Sequence, residues 1–120
     1  MKRTGLWLVL CIGLVTILAG CVPNPPLDAC FTILADPVGD PTTRLFNAAC
    51  TTDYEEPLYP TEIYTFRWSF GDGHMRIVHG NVLTTYKYLE SGTYTVELLV
   101  IDPEDGRTAR ATRKVTIGSP

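Results

Sequence analysis

Tyr64-Thr65-Phe66-Arg67-Trp68-Ser69-Phe70-Gly71-Asp72-Gly73 is the stretch that decides the fold. Aromatic residues fall on every second position and polar ones between them, the period-two alternation of a strand with one buried face. Gly71-Asp72-Gly73 then turns the chain. Glycine reaches positive φ without a steric penalty, and an aspartate in such a turn accepts backbone N–H bonds. Downstream the rhythm repeats: Tyr94, Val96, Leu98 and Val100 alternate up to Asp102-Pro103-Glu104-Asp105-Gly106, and Thr108 to Ile117 forms a last strand. Short strands between turn signals, with no amphipathic helix among them, imply an all-β sandwich or barrel.

Upstream, Cys30-Phe31-Thr32-Ile33-Leu34 and Thr43-Arg44-Leu45-Phe46-Asn47-Ala48 flank the turn-rich Pro37-Val38-Gly39-Asp40-Pro41. An antiparallel hairpin folded about position 40 sets residue 30 opposite residue 50, which pairs Cys30 with Cys50 as a disulfide. A closed loop of about 20 residues stabilises by roughly 3 kcal/mol in the chain-entropy model. Two buried free thiols are the alternative.

Trp68-Ser69-Phe70-Gly71-Asp72-Gly73, followed by Tyr88, by Gly92-Thr93-Tyr94-Thr95-Val96 and by Leu98, Val100, Asp102 and Gly106, resembles the polycystic kidney disease (PKD) domain, whose hallmark is Trp-Asp-Phe-Gly-Asp-Gly. The resemblance spans nearly all of residues 29 to 118. It implies an immunoglobulin-like antiparallel β-sandwich of the kind used in surface and secreted proteins as a spacer or as a protein- or carbohydrate-contacting module. Ser69 stands where the family prefers Asp, and Tyr86 where a His often precedes the residue matching Tyr88. Trp68, Phe70, Gly71, Asp72, Gly73, Gly92 and Tyr94 are read as fold-holding residues. Leu89 to Tyr94 has the pattern of a tyrosine corner, in which the phenol bonds a backbone group upstream.

The N-terminus carries a second message. Met1-Lys2-Arg3 is basic, Gly5 to Ala19 is apolar without a charge, and Leu18-Ala19-Gly20-Cys21 closes the run with small residues. That order is the layout of a secretory signal. The run is shorter than the about 20 apolar residues of a spanning helix, and Pro23, Pro25 and Pro26 follow at once. Leu-Ala-Gly-Cys resembles the lipobox of bacterial lipoproteins, which implies cleavage before Cys21 and a diacylglyceryl group on its thiol; an ordinary secreted protein or an uncleaved anchor is the alternative. Each buried acyl CH₂ contributes about 0.8 kcal/mol to anchoring. The expected organisation is a signal at 1–20, a Pro-rich tether at 21–28 and the sandwich at 29–118. The expected location is a membrane surface facing the periplasm or the cell exterior.

Charge and chemistry narrow the function. The chain has 13 acidic against 10 basic residues, a net charge of −3, and no basic cluster; nucleic-acid binding wants the opposite. Its two histidines, His74 and His79, flank one short strand on opposite faces, and no serine sits in a nucleophile turn, so no catalytic residues and no cofactor beyond the lipid are assigned. Asp53, Glu55 and Glu56 offer hard oxygens for calcium, and some members of the resembled family bind it near this loop; a solvated acidic loop is the alternative. Leu99 and Ile101 lie on the face opposite Leu98 and Val100. With Ile63, Arg67, Arg110 and Lys114 beside them they form a candidate protein-docking surface, since apolar residues ringed by cations are typical of contact patches. Tyr54 and Tyr59, among Pro57 and Pro60, are the candidate carbohydrate contacts.

Overall fold

Alternation at 64–70 becomes one strand of a face-to-face sandwich in the computed structural model, which describes residues 26–118. The strands are β1 (Leu27–Asp28), β2 (Thr32–Ala35), β3 (Thr43–Asn47), β4 (Thr52–Asp53), β5 (Glu56–Pro57), β6 (Thr65–Ser69), β7 (Met75–His79), β8 (Leu83–Lys87), β9 (Gly92–Asp102) and β10 (Arg107–Ile117), with a 3₁₀ turn at Thr61–Ile63. One sheet has the order β10-β9-β6-β7, the facing sheet β2-β3-β8, and a small third sheet β1-β4-β5. Every pairing is antiparallel.

The inward residues of both sheets meet on Trp68. Its ring lies 5.2 Å from that of Phe31, edge-on, and 5.7 Å from that of Phe46, which in turn packs 5.5 Å from Phe70. Val96, Leu98 and Val100 complete the buried layer. Full burial of such side chains contributes about 1.5–3 kcal/mol each. One edge of the sandwich is stitched by Arg76, which reaches from β7 to the facing sheet, donates to Thr84 Oγ1 at 2.8 Å and to the Thr85 carbonyl, and lies over the Phe70 and Tyr86 rings.

The β2–β3 hairpin forms with a register one residue away from the sequence expectation. Thr32 faces Asn47 and Ala35 faces Arg44, so the ladder runs toward residue 49 opposite residue 30. Cys30 and Cys50 nevertheless close a disulfide with Cα atoms 5.3 Å apart. Both lie beyond the strand ends. There a turn takes up the extra residue: Asn47 Oδ1 accepts the Ala49 N–H, and the Ala48 carbonyl accepts the Thr51 N–H.

Two further elements differ from the sequence reading. Leu27–Asp28, assigned there to the tether, pairs with Thr52–Asp53, and Leu27 is buried. Ile63 belongs to the 3₁₀ turn and packs against the core. The expected anchor at Cys21 and the signal at 1–20 lie outside the described residues. At one end of the sandwich, the base, stand β1, the β4–β5 hairpin, the 3₁₀ turn and the β9–β10 turn. At the other stand the turns at 36–42, 70–74 and 88–91.

Candidate functional site

The outer face of the four-stranded sheet is built by cross-strand rows. Register places Arg110, Leu99, Arg67 and Ile77 in one row, Thr112, Glu97, Ser69 and Met75 in the next, and Thr108, Ile101, Thr65 and His79 on the other side. Leu99 does face away from the core, but it is only 8% exposed, which corrects the expectation of an open side chain there. It sits on an inner strand between Arg67 and Arg110, and long cationic side chains cover apolar surface with their stems while the charge stays wet. Ile101 and Arg67 are half-buried and Arg110 is exposed. Arg110 forms an ion pair with Glu97, Nη1 to Oε2 at 2.9 Å.

Two other expected members leave the patch. Ile63 is in the 3₁₀ turn, and Lys114 faces Thr95, four residues and about 13 Å along the strand from Leu99 at the usual rise. What the sequence reading missed is that Met75 and Ile77 are the open apolar residues of this face, 59% and 57% exposed. Their alternation with Arg76 was visible, and only the pairing of β7 beside Arg67 gives it meaning.

The tyrosine loop starts as a two-residue hairpin between β4 and β5. Tyr54 and Glu55 both take positive φ, 52° and 68°, as a type I′ turn requires, without the Gly or Asn that marks such turns in a sequence. Tyr54 is 73% and Tyr59 90% exposed.

Asp53, offered above as a calcium ligand, is otherwise engaged. Arg107 donates to both its oxygens at 2.7 and 2.9 Å, and Tyr64 Oη donates to Oδ2 at 2.7 Å. Arg107 also reaches Asp102 at 2.7 Å and Asp105 at 2.6 Å, and lies over the Tyr54 ring. The Arg107 bonds hold the Asp53 carboxyl below its ordinary pKa against the opposing effect of burial. Burial and the bond to Asp53 push the Tyr64 phenol up to about 12. Glu55 and Glu56 point into solvent, and among the described residues no group of three or more His, Cys, Asp or Glu could hold a metal ion.

The Trp68–Gly73 motif acts within the fold. Tyr88 Oη donates to the Phe70 carbonyl at 2.9 Å, and Tyr94 Oη to the Glu90 carbonyl at 2.7 Å, the expected tyrosine corner. Tyr86 stacks on Phe70 with centroids 3.9 Å apart and donates to Asp72, which also accepts the His74 N–H. Burial would raise the Asp72 pKa, but these bonds outweigh it and leave it lowered. Beside them an open cleft of about 360 Å³ is lined by Asp72, His74, Leu89, Glu90 and Tyr94.

A family model described as PKD domain matches residues 35–117. The PKD1 domain of the Vibrio cholerae metalloprotease PrtV is similar at 18% identity, with a TM-score of 0.58 over 78% of this chain and 98% of that one. The PKD1 domain of Vibrio anguillarum Epp is similar at 24% identity, with a TM-score of 0.60 over 82% of this chain and 100% of that one. A solved structure of carbohydrate-binding modules from the β-sandwich superfamily is similar at 28% identity, with a TM-score of 0.60 over 82% of this chain and 36% of that one. No curated protein matches the sequence. No catalytic family is indicated, and with a family match along most of its length and the sandwich to go with it, this chain belongs to the PKD-domain family.

Proposed function

We propose that this protein is a membrane-tethered docking module without catalytic activity, exported by residues 1–20, lipidated at Cys21, and binding a protein of the cell envelope through the outer face of its four-stranded sheet. The observation that carries the docking site is the pair Met75 and Ile77 on edge strand β7, both more than half exposed, set across Arg67 from the less exposed pair Leu99 and Ile101, with Arg110 beyond them. Met and Arg are enriched in interface cores. A partner that fits it presents an apolar patch with carboxylates beside it.

Ile77→Glu tests the site. Ile77 is exposed on an edge strand, so the substitution leaves the melting temperature near wild type, whereas a carboxylate buried without a partner costs several kcal/mol and weakens association by about 100-fold or more. Leu99→Glu is no substitute, because its side chain is already buried. Retention of the same co-purifying protein from solubilised membranes by Ile77→Glu contradicts the assignment. Cys21→Ser tests the tether: the variant is released from the membrane fraction or remains unprocessed, and unchanged processing and membrane retention contradict lipidation.

The similarity to carbohydrate-binding modules favours a second reading, in which the exposed Tyr54 and Tyr59 hold a glycan. Loss of polysaccharide binding in a Tyr54→Ala, Tyr59→Ala double variant, with Ile77→Glu unaffected, would replace the docking reading with this one.

A further inference from the structure

Tyr54 and Tyr59 occupy the end of the molecule from which the tether leaves. The Tyr54 N–H is hydrogen-bonded to the Pro26 carbonyl, and Leu27 pairs with Asp53, so the described chain begins against the tyrosine hairpin. From Cys21 to Pro26 there are five residue steps, which reach at most about 18 Å when fully extended. A lipid on Cys21 therefore holds the tyrosines within one short segment of the bilayer surface. Tyrosine suits that place, having an apolar ring with a polar tip.

The base is also the acidic end. Asp28, Glu55, Glu56, Glu62 and Glu104 are exposed there and have no basic ion-pair partner among the described residues. Arg107, also at the base, is enclosed by Asp53, Asp102 and Asp105. An anionic lipid surface repels such an end. The repulsion fades over a Debye length of about 8 Å, less than the tether's reach, so the base can lift clear of an anionic surface without losing its anchor.

We propose that the base is a lipid-contacting surface: Tyr54 and Tyr59 rest in the headgroup layer of a zwitterionic bilayer, and the surrounding carboxylates release them when the bilayer is anionic. The proposal rests on the lipid-anchor reading for its setting, but its test does not. Residues 26–118 carry their own core and disulfide, and with Cys30 bonded to Cys50 a chain starting at Cys21 has one free thiol, which accepts a maleimide-bearing diacyl lipid whatever the cell does with it. Tyr59→Trp and, as a control at the opposite end, Val38→Trp are anchored in this way to phosphatidylcholine vesicles containing lipid brominated near the top of the acyl chain. Both replaced side chains are 90% exposed, while the native Trp68 is fully buried and gives a constant background.

The expected result is loss of Tyr59→Trp emission with none from Val38→Trp, and recovery of the lost emission when phosphatidylglycerol replaces part of the phosphatidylcholine. Quenching that is absent at position 59, equal at both positions, or stronger on anionic vesicles overturns the proposal. So does unquenched Tyr59→Trp emission that shifts on adding soluble cell-wall polysaccharide, which assigns the loop to a glycan. A Cys21→Ser protein that is processed as before and still stays in the membrane fraction of cells would remove the anchor reading and leave the vesicle result standing.

Discussion

Gly71 and Gly73 look alike in the sequence and are held to different standards by the structure. Both have positive φ, 88° and 97°, but a Cβ on Gly71 would lie 2.6 Å from the Thr95 carbonyl oxygen, whereas Gly73 faces open space. Gly73→Ala therefore costs only the left-handed penalty of about 1–2 kcal/mol, and Gly71→Ala costs clearly more because strand β9 must also move. Chemical denaturation of the two variants checks this, and equal losses contradict it. Residue identities that obey a local rule, such as the alternation of Phe66, Trp68 and Phe70, were legible in the sequence. The burial of Leu99 was not, because it depends on Arg67 and Arg110 from the two neighbouring strands, and sequence parity says only which way a side chain points.

Strands were readable where pattern and turn residues agreed, as in β6, β9 and β10. The β4–β5 hairpin was not, since its turn residues Tyr54 and Glu55 carry no turn signal. Its anchorage was hidden too: Arg107 in β10 and Asp53 in β4 are 54 residues apart. Removing the cation with Arg107→Met leaves the Asp53 and Asp102 side chains, 15% and 5% exposed, without their counter-charge, and breaking such a pair costs about 3–5 kcal/mol. Because the folded Asp53 pKa lies below its ordinary 3.8, its contribution is complete above that value and is lost as the pH falls through the lower folded one. The stability gap between wild type and Arg107→Met, read from urea midpoints, should narrow below about pH 4; a gap independent of pH contradicts this account of the network.

For the whole molecule, the all-β sandwich and its family were legible from one motif, whereas the proposed docking face was legible only in part. Arg67, Arg110, Leu99 and Ile101 were foreseen together. Met75 and Ile77, the exposed apolar residues of that face, required knowing that β7 pairs with β6 rather than with a strand of the other sheet. The sandwich has two outer faces, and the second also shows a half-exposed leucine, Leu34, at 47%. This makes a built-in control for photo-crosslinking in the cells that produce the protein, with a benzophenone amino acid replacing either Ile77 or Leu34. A discrete protein adduct from position 77 and none from position 34 is the expected result; no adduct from position 77, or the same adduct from both faces, would contradict docking through the four-stranded sheet.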